Sequence, residues 1–347
     1  MLWPKIAPMD HEIALGVPYR RGALVSGAAA AGAVALVAYP VGRALPLVGP
    51  PVFALVFGIV AAALRAPDAR LQPGIAFTGK YVLQAAIVVL GATLGLGQVV
   101  SVGTATLPVM VGTLAAALSV ALVAGRMLGI DSRVKTLIGV GTGICGASAI
   151  AAVSGIVEAT ESEIAYAVST IFVFNLVAVV TFPPLGHLLG LGQQAFGLWA
   201  GTAVNDTSSV VAAAYAYGPS AGAHAVLVKL TRTTMIVPIA GLLALRRARR
   251  TAQGSSRVSW RAIVPWFLLW FLAAAALHTL GALPAGLVDA LRLASTLLIT
   301  AALAAIGLST RLGDLRRAGH RPLLLGTLVW ASVAATSLVL QHVTGGG

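Results

Sequence analysis

The sequence predicts an all-α, polytopic membrane protein, and three observations carry that reading. Of its 347 residues 58% are hydrophobic and 10% charged, against about 25% charged in soluble domains, and the mean hydropathy is +0.94. Apolar windows of roughly 20 residues, the helix length that crosses about 30 Å of hydrocarbon, recur along the chain. Between them Lys and Arg fall in short clusters, the pattern of cytoplasmic loops. That distribution accounts for the formal net charge of +13 through the lipid bilayer, with no nucleic acid as partner. The single cysteine, Cys145, excludes an internal disulfide and a multi-cysteine metal site.

Residues 1–21 contain acidic residues and no apolar core, which reads as a cytoplasmic leader and not a cleavable signal peptide. The transmembrane domain is then 22–347. Its windows lie near 22–41, 48–64, 78–97, 105–125, 136–157, 163–182, 195–217, 222–245, 262–281, 286–308 and 322–341, about eleven spans in all. Every second loop is basic: Arg20 and Arg21; Arg65 and Arg70; Arg126, Arg133 and Lys135; Arg246, Arg247, Arg249 and Arg250; Arg311, Arg316, Arg317 and Arg321. The alternation places the N-terminus in the cytoplasm and the C-terminus outside a cell (inner) membrane. One connection breaks it, 182–195, where His187 is the only candidate cation, and an intervening loop carries Glu158, Glu161 and Glu163.

The chain also repeats itself. Gly141-Thr142-Gly143-Ile144-Cys145-Gly146-Ala147-Ser148-Ala149-Ile150 aligns without a gap with Gly201-Thr202-Ala203-Val204-Asn205-Asp206-Thr207-Ser208-Ser209-Val210. A second likeness joins Leu90–Gln98 to Ile306–Asp314, ahead of helices that run in opposite directions by this count. Opposed copies point to an inverted-repeat transporter fold with discontinuous helices. The 141 and 201 copies have one span between them and would run parallel if each crossed fully, so either one is re-entrant or the span count is off by one there. The core is expected around 136–157 and 195–245, the other helices serving as partners and scaffold.

In hydrocarbon a helix is interrupted only where protein or a watery cavity satisfies the freed backbone groups. Gly139, Gly141, Gly143 and Gly146 mark such an interruption, and a half-helix starting there would turn N–H groups and a positive dipole end toward an anion. Thr142 and Ser148 add hydroxyls and Cys145 lies inside the motif; the alternative for these small residues is close helix packing. The second copy brings Thr202, Asn205, Asp206, Thr207, Ser208 and Ser209. Asp206, an ionisable group at membrane depth, calls for a cavity or a charge partner, and Lys229 and Arg232, three residues apart on one helix face, are the nearest candidates. Arg232 would pair with Asp206 or hold an anion bidentately. These residues form the expected substrate site, with Asp206 as the coupling or gating carboxylate and Na+ or H+ as the only coupling ions considered. Asn175, Gln84 and Ser169 read as interhelical hydrogen-bonders, Lys80 and Arg292 as snorkelling side chains. His187, His224, His278 and His320 lack ligand spacing, so no metal is assigned.

At these residues the chain resembles the family of YeiH-type sulfate exporters. The likeness runs from about Pro50 to the C-terminus and is most specific at Leu90–Leu94, Gly141–Ile150, Gly197–Val210 and Val228–Arg232. It implies a fold like that of the cation/proton antiporters and bile-acid symporters, with crossed discontinuous helices, core and scaffold domains, and an elevator-like or rocking cycle. Many members carry His at the position of Asn205, so proton coupling through that position is not implied here. The expectation is a secondary carrier exporting a small anion, a sulfate-like oxyanion, sulfonate or carboxylate, without enzyme activity or cofactor, and working as a homodimer. The alternatives are a sodium- or proton-coupled importer, an intramembrane enzyme using Asp206 with a histidine, and a channel.

Overall fold

The computed structural model describes residues 21–44, 50–248, 266–309 and 320–344. Residues 1–20 of the expected leader lie outside these, as do Arg249, Arg250, Arg311, Arg316 and Arg317 of the basic loops and Thr310–Asp314 of the second internal likeness. The secondary structure of the described residues is helical throughout. Among the described residues seven helices are long and apolar enough to cross a membrane, and two shorter ones are also apolar.

The chain forms two compact units. The first comprises α1 (Arg21–Ala44), α2 (Pro50–Leu64), α3 (Gln72–Gly91, with a π turn at Thr78–Val82), most of α12 (Trp266–Thr279) and α13 (Ala285–Ser309). Small residues let its backbones approach: Gly27 lies against Gly74, and Gly58 against Gly307. Such contacts hold helices together where lipid removes the hydrophobic drive for association.

The second unit contains α4 (Leu96–Met127, nearly all of it), α5 (Ser132–Gly143), α6 (Ala147–Ser154), α7 (Glu161–Leu188), α8 (Gln193–Ala203), α9 (Thr207–Tyr217), α10 (Pro219–Thr234), α11 (Ile236–Ala248) and α14 (His320–Val343). Both stretches expected to form the core, 136–157 and 195–245, lie in it. Its continuous spine is α7, which starts with a capping box: Thr160 accepts from the Glu163 backbone N–H while the Glu163 carboxylate accepts from that of Thr160.

Two of the eleven windows expected as single spans are helical hairpins. The window 136–157 is a hairpin of α5 and α6: Gly141 packs on Ile150, nine positions on, which a straight helix would hold far apart. Arg133 at the start of α5 pairs with Glu163 at the start of α7 (3.8 Å), and Gly141 further along meets Ile171. Helices α5 and α7 therefore set out together, and α6 returns to their common end. The window 195–217 is a second hairpin, of α8 and α9, at the other end of α7. The Tyr217 ring at the close of α9 stacks on Phe196 near the start of α8, centroids 3.8 Å apart, and its hydroxyl donates to the Leu191 carbonyl. Gln193 Oε1 accepts from the Ser220 and Ala221 N–H groups (2.9 and 3.2 Å), so α8 and α10 also begin side by side. Phe182, near the end of α7, stacks on Trp199 at 4.1 Å.

The arms have 12, 8, 11 and 11 residues, and at 1.5 Å per residue each is about 12–18 Å long, half a bilayer or so. A window of 20 apolar residues fits such a hairpin as well as a span, which is why the pattern alone did not separate them. The conflict over parallel copies disappears: because each copy turns back, the first arms of the two hairpins enter from opposite ends of α7 and point toward each other.

Candidate functional site

The hairpin tips meet. Helix α5 ends at Gly143 and α6 starts at Ala147; α8 ends at Ala203 and α9 starts at Thr207. In the gapless alignment of the two copies these boundaries coincide. A Cβ placed on Gly146 would lie 3.4 Å from the Asp206 Cβ and 3.5 Å from the Asn205 carbonyl carbon. Gly146 has φ 71° and ψ −133°, a region open almost only to glycine, and it makes the first tip's sharp reversal possible.

Each tip leaves backbone carbonyls without helical partners in the protein interior, where a buried polar group without a hydrogen bond is costly. Helix α10 supplies the donors. Arg232 donates from Nε to the Gly143 carbonyl (2.8 Å), from Nη2 to that of Thr142 (3.0 Å) and from Nη1 to that of Thr202. Lys229 Nζ donates to the carbonyls of Ile144 and Val204, both at 2.9 Å. The two side chains are fully buried. Positions 142 and 202, like 144 and 204, are equivalent in the repeat, so each cation bridges matching atoms of the two copies. A cation at a helix C-terminus is favoured by the dipole, and here two C-termini share two cations.

The expected ion pair of Asp206 with Lys229 or Arg232 is absent. Asp206 is the N-cap of α9: its carboxylate accepts from the Ser209 N–H (2.9 Å), the Ser209 hydroxyl (2.6 Å) and the Ser208 hydroxyl. Arg232 turned instead to the carbonyls, a partner that sequence does not display. Nor does Arg232 present its fork to an open cavity: each of its three nitrogens donates to a carbonyl and the side chain is fully buried.

The remaining expected residues sort by position. Gly139, Gly141 and Gly143 pack on Ala121, Ile171 and Leu114, the close-packing alternative, while Gly146 shapes the tip. Thr142, Cys145, Thr202 and Asn205 are buried at the tips. Ser148 is exposed, and Asp206, Thr207, Ser208 and Ser209 are half-buried, so the N-termini of α6 and α9 form the open part of the junction. Asn205 is 1% exposed and both polar atoms of its amide lack a hydrogen-bond partner. Asn175, midway along α7, does more than hold helices together: its Oδ1 accepts from the Asn205 N–H (3.0 Å) and lies 3.4 Å from that of Asp206. Ser337 of α14, which sequence reasoning missed, shares a 2.7 Å hydrogen bond with the Thr202 hydroxyl. Its helix also holds Thr327, Ser332, Thr336 and Gln341, so nothing in the sequence singled it out.

Comparison with known proteins identifies the family. The model of the family described as conserved hypothetical protein 698 matches residues 26–326. The chain belongs to that family. A UPF0324 membrane protein of Streptococcus pyogenes serotype M6 is 42% identical over 320 residues, covering 89% of this chain and 94% of its own. UPF0324 membrane proteins of Streptococcus agalactiae serotype V and Fusobacterium nucleatum are 40% and 38% identical, covering 90% of this chain and 95% and 96% of theirs. No solved structure matches. With these relatives and its apolar helices, the chain is a multi-pass membrane protein.

Proposed function

We propose that the chain is a secondary carrier of a small anion, working by alternating access around the two opposed hairpin tips. The observation that supports this best is the charge balance where the tips meet. Lys229 and Arg232 bring two positive charges; the C-termini of α5 and α8, about half a negative charge each, together with Asp206 offset roughly two. The N-termini of α6 and α9 add about one positive charge to that balance, and because Asp206 sits on the N-terminus of α9, the uncapped N-terminus of α6 is the open positive end. An anion is the species such a site attracts, and the unpartnered Asn205 amide beside it is a ready hydrogen-bonding group. Opposed half-helices meeting at mid-depth are the arrangement of inverted-repeat carriers.

The two hairpins change the topology. Nine crossings and two hairpins of opposite entry keep the N-terminus cytoplasmic and the C-terminus outside, as expected for an inner-membrane carrier. They also move the 182–195 connection to the outer side, where its lack of Lys and Arg is the rule, and put Glu158, Glu161 and Glu163 inside beside Arg133. The substrate is a sulfate-like oxyanion, sulfonate or carboxylate, export is the direction suggested by the family resemblance, and the working unit is a homodimer. The enzyme alternative is weakened by the lack of a second carboxylate between 195 and 245.

The test is a thermal-shift screen of purified protein against sulfate, sulfite, sulfonates and small carboxylates, followed by counterflow of any hit in proteoliposomes. Saturable counterflow that Asn205→Ala weakens supports the carrier. Product formation in detergent, or flux without saturation or counterflow, contradicts it.

A further inference from the structure

In carriers built from broken helices, the carbonyls freed at half-helix C-termini are where a coupling sodium ion or proton is held. Here five such carbonyls, those of Thr142, Gly143 and Ile144 at one tip and Thr202 and Val204 at the other, already accept hydrogen bonds from Arg232 and Lys229. We infer that Lys229 and Arg232 are tethered replacements for coupling cations, so the carrier holds its two tips together and completes its cycle without binding sodium there.

The geometry supports a stand-in role over an ordinary ion pair. Both side chains are fully buried, and their hydrogen-bond partners are main-chain oxygens from both copies of the repeat, with no carboxylate among them. Burying a charge is costly unless it is well coordinated, and a set of carbonyls at dipole C-ends is the coordination an alkali cation would also use. The two positions of each bridge are equivalent in sequence, so one cation serves both tips at once. A tethered cation is not lost to either compartment, and it keeps the open side positive in every state of the cycle. The substrate anion consequently crosses without a co-transported sodium charge. Asp206, committed to capping α9, contributes no oxygen to this set.

This inference rests on the carrier reading for its transport half; its stability half stands alone. Wild-type protein is melted in sodium chloride, ammonium chloride and choline chloride at equal ionic strength, beside Lys229→Ala, which vacates two carbonyls. Wild type is expected to melt at the same temperature in all three salts. Lys229→Ala is expected to lose several degrees in choline and to regain a good part of that in sodium or ammonium. Selective stabilisation of wild type by sodium overturns the inference, as does a Lys229→Ala protein as stable as wild type in choline. If Lys229→Ala cannot be purified in any salt, the wild-type comparison decides by itself. In proteoliposomes, anion flux unchanged when choline replaces sodium supports the inference, and sodium-dependent flux overturns it while leaving the carrier intact. Absence of any flux strikes the carrier reading, and the melting comparison still decides whether the cations are built in.

Discussion

The two hairpins share a boundary pattern and a pair of bridging cations, yet their tips end differently. At the position where the second tip has Asp206, which caps α9 with its own carboxylate, the first has Gly146, and α6 begins with no side-chain cap. Behind each of these, Asn205 faces an alignment partner of different chemistry, Cys145. One hairpin thus carries its anion with it and the other leaves its N-terminus open, with Ala147 and Ser148 exposed. Duplicated architecture supplies the frame, and the departures from duplication supply the chemistry.

The largest expected effect comes from breaking what the hairpins share. Arg232→Ala leaves three buried carbonyls unpaired at about 1–3 kcal/mol each, so a loss of at least about 3 kcal/mol is expected, read as a collapse in the yield of monodisperse protein. Next is Gly146→Ala, which forces a side chain into a backbone region that costs about 1–3 kcal/mol; the equivalent position of the second tip, Asp206, has φ −97° and carries no such strain. A smaller loss, about 0.5–2 kcal/mol, is expected for Asp206→Ala through the missing cap. Asp206→Asn should keep most of the cap and change the charge, so flux altered at near-normal melting temperature would separate a coupling role from a capping one. Smallest in stability is Ser148→Ala, within about 0.5 kcal/mol, while the anion concentration needed for half-maximal thermal protection should rise. Unchanged protection would remove Ser148 from the site.

Much of this was legible in the chain. Glycines and hydroxyls in two aligned apolar windows marked where the helices break, because a break at membrane depth needs those residues, and both breaks fall inside the aligned stretches. The importance of Lys229 and Arg232 was legible too, since buried cations are rare. Their partners were not: side-chain chemistry offered Asp206, but the hydrogen-bond acceptors are main-chain oxygens that every residue owns. Asn175 was underrated for the same reason, its partners being backbone N–H groups. Crossing and turning back were indistinguishable because apolarity reports depth and not direction; only pairs such as Tyr217 with Phe196 and Arg133 with Glu163 show the reversal.

The claim on which everything else depends is that both copies turn back and enter from opposite faces. Single cysteines at Ser132, Ser162, Gln194 and Ser220, all exposed, can be introduced into a Cys145→Ala background and labelled with a membrane-impermeant maleimide from each face of oriented vesicles. Ser132 and Ser162 should react from one face, and Gln194 and Ser220 from the other. Labelling of Ser132 and Ser162 from opposite faces would mean that the first copy crosses the membrane, and would contradict the tip-to-tip account.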